Sequence, residues 1–374
     1  MKFLIIDTYY DQVLIDFHNN KEIVGDNFEN TRRALLDKLF GTADFYSKNL
    51  IELGHEAQDI IINDQILQGL WAKERGIKNR NFYSKILNIP KIGFIGKKVD
   101  TFLNLSDTYK ILKAQIEEYK PDIIYVQNLG YLNSRFLKSI KPNVKLIIGQ
   151  IACPLPPLRN LKPYDLILTS FPHYVEIFRK MGIKSEYFKI GFEESILSKL
   201  KKERETYQTT FIGGFANVHK EGTTILEEVA EKTKLDFWGY GVKDLKSNSP
   251  IIKNYHGEAW GADMYQILYN SKITINRHSL ASKNYANNMR LYEATGVGTM
   301  LLTDIKDNLS ELFEIDKEIV TYKTPEEMLE KIQYYSNHEK ERSEIALAGQ
   351  KRTLKDHTYK KRMQELVKII EKYL

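Results

Sequence analysis

NNMRLYEATGVGTMLLTD, residues 287–304, reads as a short helix that stops at Gly296 and Gly298 and turns into an apolar strand. Asn287 or Asn288 suits the N-cap, and glycine just past a helix is the usual stop. On such a helix Met289, Glu293 and Val297 lie one turn apart and share a stripe. A carboxylate in line with apolar neighbours is costly unless something satisfies it. Arg290 falls near the third helical position, where the helix dipole disfavours a cation. Two readings stand. Arg290 and Glu293 form an i, i+3 salt bridge on a surface helix, or Arg290 and the free amides of the first turn hold an anion. In the second reading Glu293 accepts hydrogen bonds from two neighbouring hydroxyls. A phosphate followed by a vicinal diol describes a nucleoside diphosphate.

Outward from this stretch, apolar runs alternate with helical patterns. The runs are 2–7, 58–62, 122–127, 145–150, 165–170, 209–215, 235–241, 272–278, 299–304 and 318–322. Short, nearly continuous apolar runs are what strands of a parallel sheet covered on both faces require. The expected fold class is α/β: two Rossmann-like, doubly wound domains facing across a cleft. The polar run KLKKERETYQ, 199–208, is read as the hinge. Residues 1–200 then form one domain and 201–354 a second, with 355–374 a terminal helix packing back on the first. Ligands of open α/β sheets bind outside the carboxyl ends of the strands, which directs attention to the loops after each run.

The chain has 374 residues and a net charge of +6. Most of the excess lies in residues 1–200, with 28 Lys+Arg against 23 Asp+Glu, whereas 201–374 hold 27 against 26. Residues 71–98 contain eight basic residues and one acidic, interleaved with Trp71, Phe82, Tyr83 and Phe94. That stretch is either a solvated basic face or a peripheral contact with an anionic membrane surface. The modest overall charge makes nucleic acid an unfavoured partner. The start, MKFLIID, lacks the apolar core of roughly 7–15 residues of a signal peptide, and no run approaches the ~18 residues of a membrane helix. The single cysteine, Cys153, forms no internal disulfide and reads as a small buried residue. The expected location is the cytoplasm, at most at the inner face of a membrane.

Phosphate-loop, dinucleotide, zinc and hydrolase-elbow signatures are missing from the sequence. No D-x-D pair is present either, so no metal site is expected.

FIGGF, FWGYG, YHGEAW, ITINRH and then NNMRLYEATGVGTMLLTD follow in an order that resembles the C-terminal domain of GT-B glycosyltransferases. The R-x-x-E-A-x-x-x-G-x-x-L-L-T-D pattern, here Arg290 to Asp304, is similar to that of the CgeB-like group. The resemblance is specific over about 209–304 and looser over 1–200. It implies a glycosyltransferase whose donor is a nucleoside-diphosphate sugar, with uridine the default base. It places the ribose at Glu293, the diphosphate against Gly213 and Gly214, and the nucleobase near His256 and Glu258. Many retaining relatives carry a second glutamate eight residues before the ribose-binding one. Here that position is Tyr285, so retaining stereochemistry does not carry over.

Asn276 and His278 end a strand that points into the cleft, where His278 can hold a phosphate oxygen or the donor sugar. Lys283 offers a second phosphate contact, and Asn288 opens the helix. Trp260 borders the base or fills the core. An inverting transfer needs a base for the acceptor hydroxyl; Asp7, His18 and His173 are the choices, with His173 directly after the run 165–170. Asp44 or Ser47 reads as a helix cap. No tightly bound cofactor and no metal requirement are expected. The acceptor is a glycan, a lipid-linked sugar or a protein. The rival readings are an epimerase of nucleotide sugars, a DNA-modifying glucosyltransferase and a non-catalytic surface or spore binder.

Overall fold

The computed structural model describes residues 1–20, 27–78, 94–201, 207–215 and 220–374, of which 94–105 and 220–221 through their backbone alone. Two parallel sheets carry the molecule. The first has six strands, β1 (Lys2–Asp7), β2 (Glu56–Ile61), β3 (Ile123–Val126), β4 (Leu146–Gln150), β5 (Leu166–Thr169) and β6 (Ser185–Tyr187), in the order β2-β1-β3-β4-β5-β6. The second has five, β7 (Tyr207–Ile212), β8 (Asp236–Trp238), β9 (Ser271–Asn276), β10 (Met300–Asp304) and β11 (Val320–Tyr322), in the order β11-β10-β9-β7-β8. Every pairing is parallel. β3 and β5 are buried at every residue, as sheets covered on both faces demand. This is the α/β, doubly wound architecture that the alternating runs require.

Differences from the sequence reading have local causes. Strand β6, Ser-Glu-Tyr, was not among the runs because its residues lack apolar character. It exists because Phe188 N–H and Ile167 N–H close the ladder around it. Residues 202–206 of the expected hinge, and 79–93 of the basic stretch, lie outside the described residues. Of the stretch's start, Trp71 is a core residue at 3% exposure, and the Arg75 guanidinium lies 4.2 Å over its ring while pairing with Glu118. Cys153 is exposed rather than buried, on the loop after β4. Asp44 stands at the N-cap of helix Phe45–Glu52 without a side-chain cap, and Ser47 instead bonds Asp44 O and Asp59. Among the described residues no helix is long and apolar enough to cross a membrane.

The end of the chain forms two helices, Glu339–Asp356 and Tyr359–Glu371. Thr358 bridges Phe192, and Tyr359 lies 5.4 Å from both the Phe45 and Tyr46 rings. Arg362, 1% exposed, donates to Ile190 O, so the last helix is tied to the lobe of the first sheet.

Asp59 sits on β2 opposite Ile5, 3% exposed. Burial pushes its carboxyl up to about 7, against the Ser47 hydroxyl and Arg32, with Asp44 and Asp7 adding to the rise. A folded-state pKa above the unfolded value gives stability that is present below the unfolded pKa and lost as pH rises through the folded one. Stability should therefore fall between pH 4 and 7. Asp59→Asn is expected to remove that loss, widening its advantage over the parent by on the order of 3 kcal/mol from pH 4 to 8. Melting temperatures of both proteins across that range check this; parallel curves would refute it.

Candidate functional site

The second sheet reverses direction between β7 and β9, the switch point where α/β sheets open a crevice. Three strand ends meet there: Ile212-Gly213-Gly214, Trp238-Gly239 and Asn276-Arg277-His278. Gly239 has φ +139°, and a Cβ on it would stand 1.7 Å from Gly213 O. These two strand ends thus touch backbone to backbone, which the glycines of FIGGF and FWGYG permit. Arg277 donates from Nη2 to Gly214 O at 2.6 Å and closes the mouth from the β9 side.

Helix Met289–Val297 follows β9. Asn288 is its N-cap, yet its side chain caps nothing in the helix. It is exchanged with Asn276 through bonds of 2.8 and 3.2 Å, so among the described residues no side chain takes up the first-turn amides. Arg290 is the second helical residue, one earlier than the spacing suggested. Its Nη1 lies 2.7 Å from Glu293 Oε2 and its Nη2 donates to Ile212 O at 3.3 Å. The i, i+3 pair therefore forms, but it is buried: the side chains are 13% and 7% exposed. Burial pushes the Glu293 carboxyl up, opposed by the Arg290 charge and by a hydrogen bond with Tyr265. Arg290 Nε is buried without a hydrogen-bond partner. This is a charged pair inside the protein, at the uncapped start of a helix and against the end of β7, not one on a solvated surface.

The other sequence candidates are dispersed around this group. His278 and Lys283 line a separate cavity at the ends of β9 and β10. His256 stacks on Trp238 with centroids 4.5 Å apart and bonds Asp236 at 2.8 Å, so its ring is held at the β8 edge of the sheet. Glu258 accepts from Trp260 Nε1 at 3.1 Å. Trp260 packs against the core that holds Tyr9 and Trp71, and with Glu258 it lines a cavity. It stands among Tyr10 and Phe40 from the first lobe and Tyr240 from the second.

On the facing side, Asp7 ends β1, and burial raises its carboxyl to about 6 against the Thr8 amide and Thr42. His173 lies between the Phe171 and Tyr285 rings, with centroids 5.6 and 5.5 Å away. Burial and the Lys283 charge lower its pKa. The rise brings Asp7 closer to a base's working range, whereas the lowering makes His173 a weaker base. The Nε2 of His18 is spent on Asp64, the N-cap of helix Gln65–Glu74.

Sequence reasoning gave no site role to Tyr265, Met264 or Asp304, and offered Asn287 only as a helix cap. Tyr265 and Met264 reach Glu293 and Arg290 from helix Gly261–Tyr269. Asn287 O accepts from Ser170 Oγ at 3.2 Å across the two lobes, and its amide reaches Tyr187. Asp304, which closes the sequence pattern, accepts from His278 Nδ1 at 2.7 Å. Only the last had a signal in the sequence. Among the described residues no three His, Cys, Asp or Glu side chains gather as a metal site.

Residues 220–368 match the family described as "Glycosyl transferase-like". No curated protein matches. Among solved structures, HepE of Anabaena, crystallised with UDP and glucose, is 14% identical with a TM-score of 0.61 and 100% of both chains covered. A sucrose-phosphate synthase from Thermosynechococcus elongatus is 9% identical at TM-score 0.59, with 100% of this chain and 98% of that one covered. A glycosyltransferase from Rickettsia africae is 11% identical at 0.57, with the same coverage. The fold is GT-B. Identities this low carry the fold and not the activity.

Proposed function

We propose that this chain is a glycosyltransferase that moves a sugar from a nucleoside-diphosphate sugar, with UDP the first choice, to a hydroxyl acceptor. The observation that carries the reading is the buried Arg290–Glu293 pair at the uncapped start of helix Met289–Val297, beside Gly213. The family match over 220–368 supports a transferase, and HepE, solved with UDP-glucose, gives the same fold a donor of this class. The Arg290 to Asp304 pattern favours the CgeB-like group within it.

In this reading the domain 201–354 holds the donor and 1–200 the acceptor. Glu293 accepts the two ribose hydroxyls. Arg290, the first-turn amides and Gly213–Gly214 meet the diphosphate, with Asn276 and Asn288 around it and His256 and Glu258 toward the base, while His278 and Lys283, expected there from the sequence, line the separate cavity and are left out of the diphosphate contacts. Stabilising the departing diphosphate by these fixed donors takes the role of a metal. Asp7 or His173 accepts the acceptor's proton. The acceptor is a glycan, a lipid-linked sugar or a protein, reached from the cytoplasm.

A thermal-shift panel of UDP, GDP, CDP, ADP and dTDP, with and without EDTA, tests the reading. One diphosphate at a hundred times its Kd is expected to raise the melting temperature by roughly 5 °C, with EDTA making no difference. Silence from every nucleotide would overturn it.

A further inference from the structure

A cavity of about 450 Å³ opens over the carboxyl ends of β9, β10 and β11. Neither Arg290, Glu293, Gly213 nor Gly214 lines it. Among the described residues its wall carries Arg277, His278, Lys283, Lys306 and Lys323 against one carboxylate, Asp304. We propose that this cavity binds an oxyanion, a phosphoryl or carboxylate group, that belongs to the transferred sugar or to the acceptor and is additional to the donor diphosphate. This rests on the donor reading above only in the word additional.

The charges do not balance within the wall. Asp304 accepts from His278 Nδ1 at 2.7 Å and from the His278 amide at 3.1 Å, and lies 3.2 Å from Lys306 Nζ. Burial raises its carboxyl, but His278 and Lys306 more than offset that and hold it below the usual range. Its charge is thus already matched. Lys283 and Lys323 have no carboxylate partner among the described residues, so the wall keeps an excess of positive charge.

His278 is the second sign. Its side chain is 1% exposed, and Nε2 is buried with no hydrogen-bond partner. An unsatisfied buried polar atom is expensive, and proteins retain few without a use. With Asp304 accepting from Nδ1–H, Nε2 is the unpaired nitrogen of a residue lining the cavity, and it meets an oxyanion by donating from the protonated ring or by accepting the hydroxyl of a monoprotonated phosphate.

Backbone strain is the third. Lys283 has φ +51° and ψ −125°, a conformation side chains rarely adopt, and Lys306 Nζ pins its carbonyl at 2.9 Å. Such strain persists where surrounding structure enforces it, and it clusters at ligand sites. Leu280 and Ile305, 59% and 40% exposed, line the same cavity and offer apolar contact to the CH face of a sugar ring.

Calorimetric titration of inorganic phosphate into the full chain, alone and saturated with the diphosphate that raised its melting temperature, tests this. Phosphate is expected to bind in both cases and to lose at least tenfold in affinity in the double variant Lys283→Ala, Lys323→Ala. Both residues are exposed, so the fold should survive, and diphosphate affinity in the variant should stay within about threefold. No phosphate binding, displacement of phosphate by the diphosphate, or unchanged affinity in the variant would each overturn the proposal. Lysine-dependent phosphate binding with no nucleotide binding at all would sink the donor reading and leave the anion site standing. Two further arms assign the source. Lysine-dependent preference for UDP-glucuronate over UDP-glucose places the anion on the transferred sugar. Glucose 6-phosphate binding together with UDP places it on the acceptor.

Discussion

Glu293→Ala is expected to weaken diphosphate binding by about a hundredfold, the loss of two hydrogen bonds to a charged acceptor. It should also destabilise the chain by roughly 3 kcal/mol, because Arg290 stays 13% exposed with its partner gone. Sequence alone left open a surface salt bridge, whose carboxylate could be removed at little cost. The structure makes both effects arise from one residue. Glu293→Gln separates them: it keeps shape and one acceptor oxygen, so most stability should return while affinity stays about tenfold low. Binding isotherms and melting curves on both variants give the answer. A Glu293→Ala protein that melts lower yet binds UDP as the parent does would reduce the pair to an internal brace of the helix.

Gly239→Ala should be among the most damaging single changes in the chain. The new Cβ would meet Gly213 O at 1.7 Å and Gly213 C at 2.7 Å, backbone atoms that cannot rotate away. The φ of +139° adds strain of its own. The expected loss exceeds about 3 kcal/mol, and any folded fraction should bind the diphosphate poorly, because the end of β7 is displaced. Gly257→Ala is the control. Its φ is +103°, but nothing lies within 4 Å, so only the conformational cost of about 1–2 kcal/mol remains. Equal melting temperatures for the two variants would show that the approach of β8 to β7 is loose.

The architecture was legible because parallel strands buried on both faces write themselves as short apolar runs, a local signal. Ten of the eleven strands carry it, and the polar Ser185–Tyr187 does not. The helix 289–297 and its stop were equally readable, since Gly298 with φ +87° is a local requirement. The charged pair at 290 and 293 followed from helical spacing.

What spacing left undecided was where that helix lies. An i, i+3 pair is identical in sequence whether it faces water or protein. Tyr265, Met264 and Ile212, residues 25 to 81 positions away, decide that it is buried. The same limit applies to His278: its sequence position reaches the cleft, but only Asp304, across a neighbouring strand, makes one nitrogen a donor and leaves the other unpaired. By itself the sequence determined which segments become strands and helices, because those choices depend on neighbours along the chain. Burial, pairing and charge balance depend on neighbours in space, and the tertiary structure alone decided them.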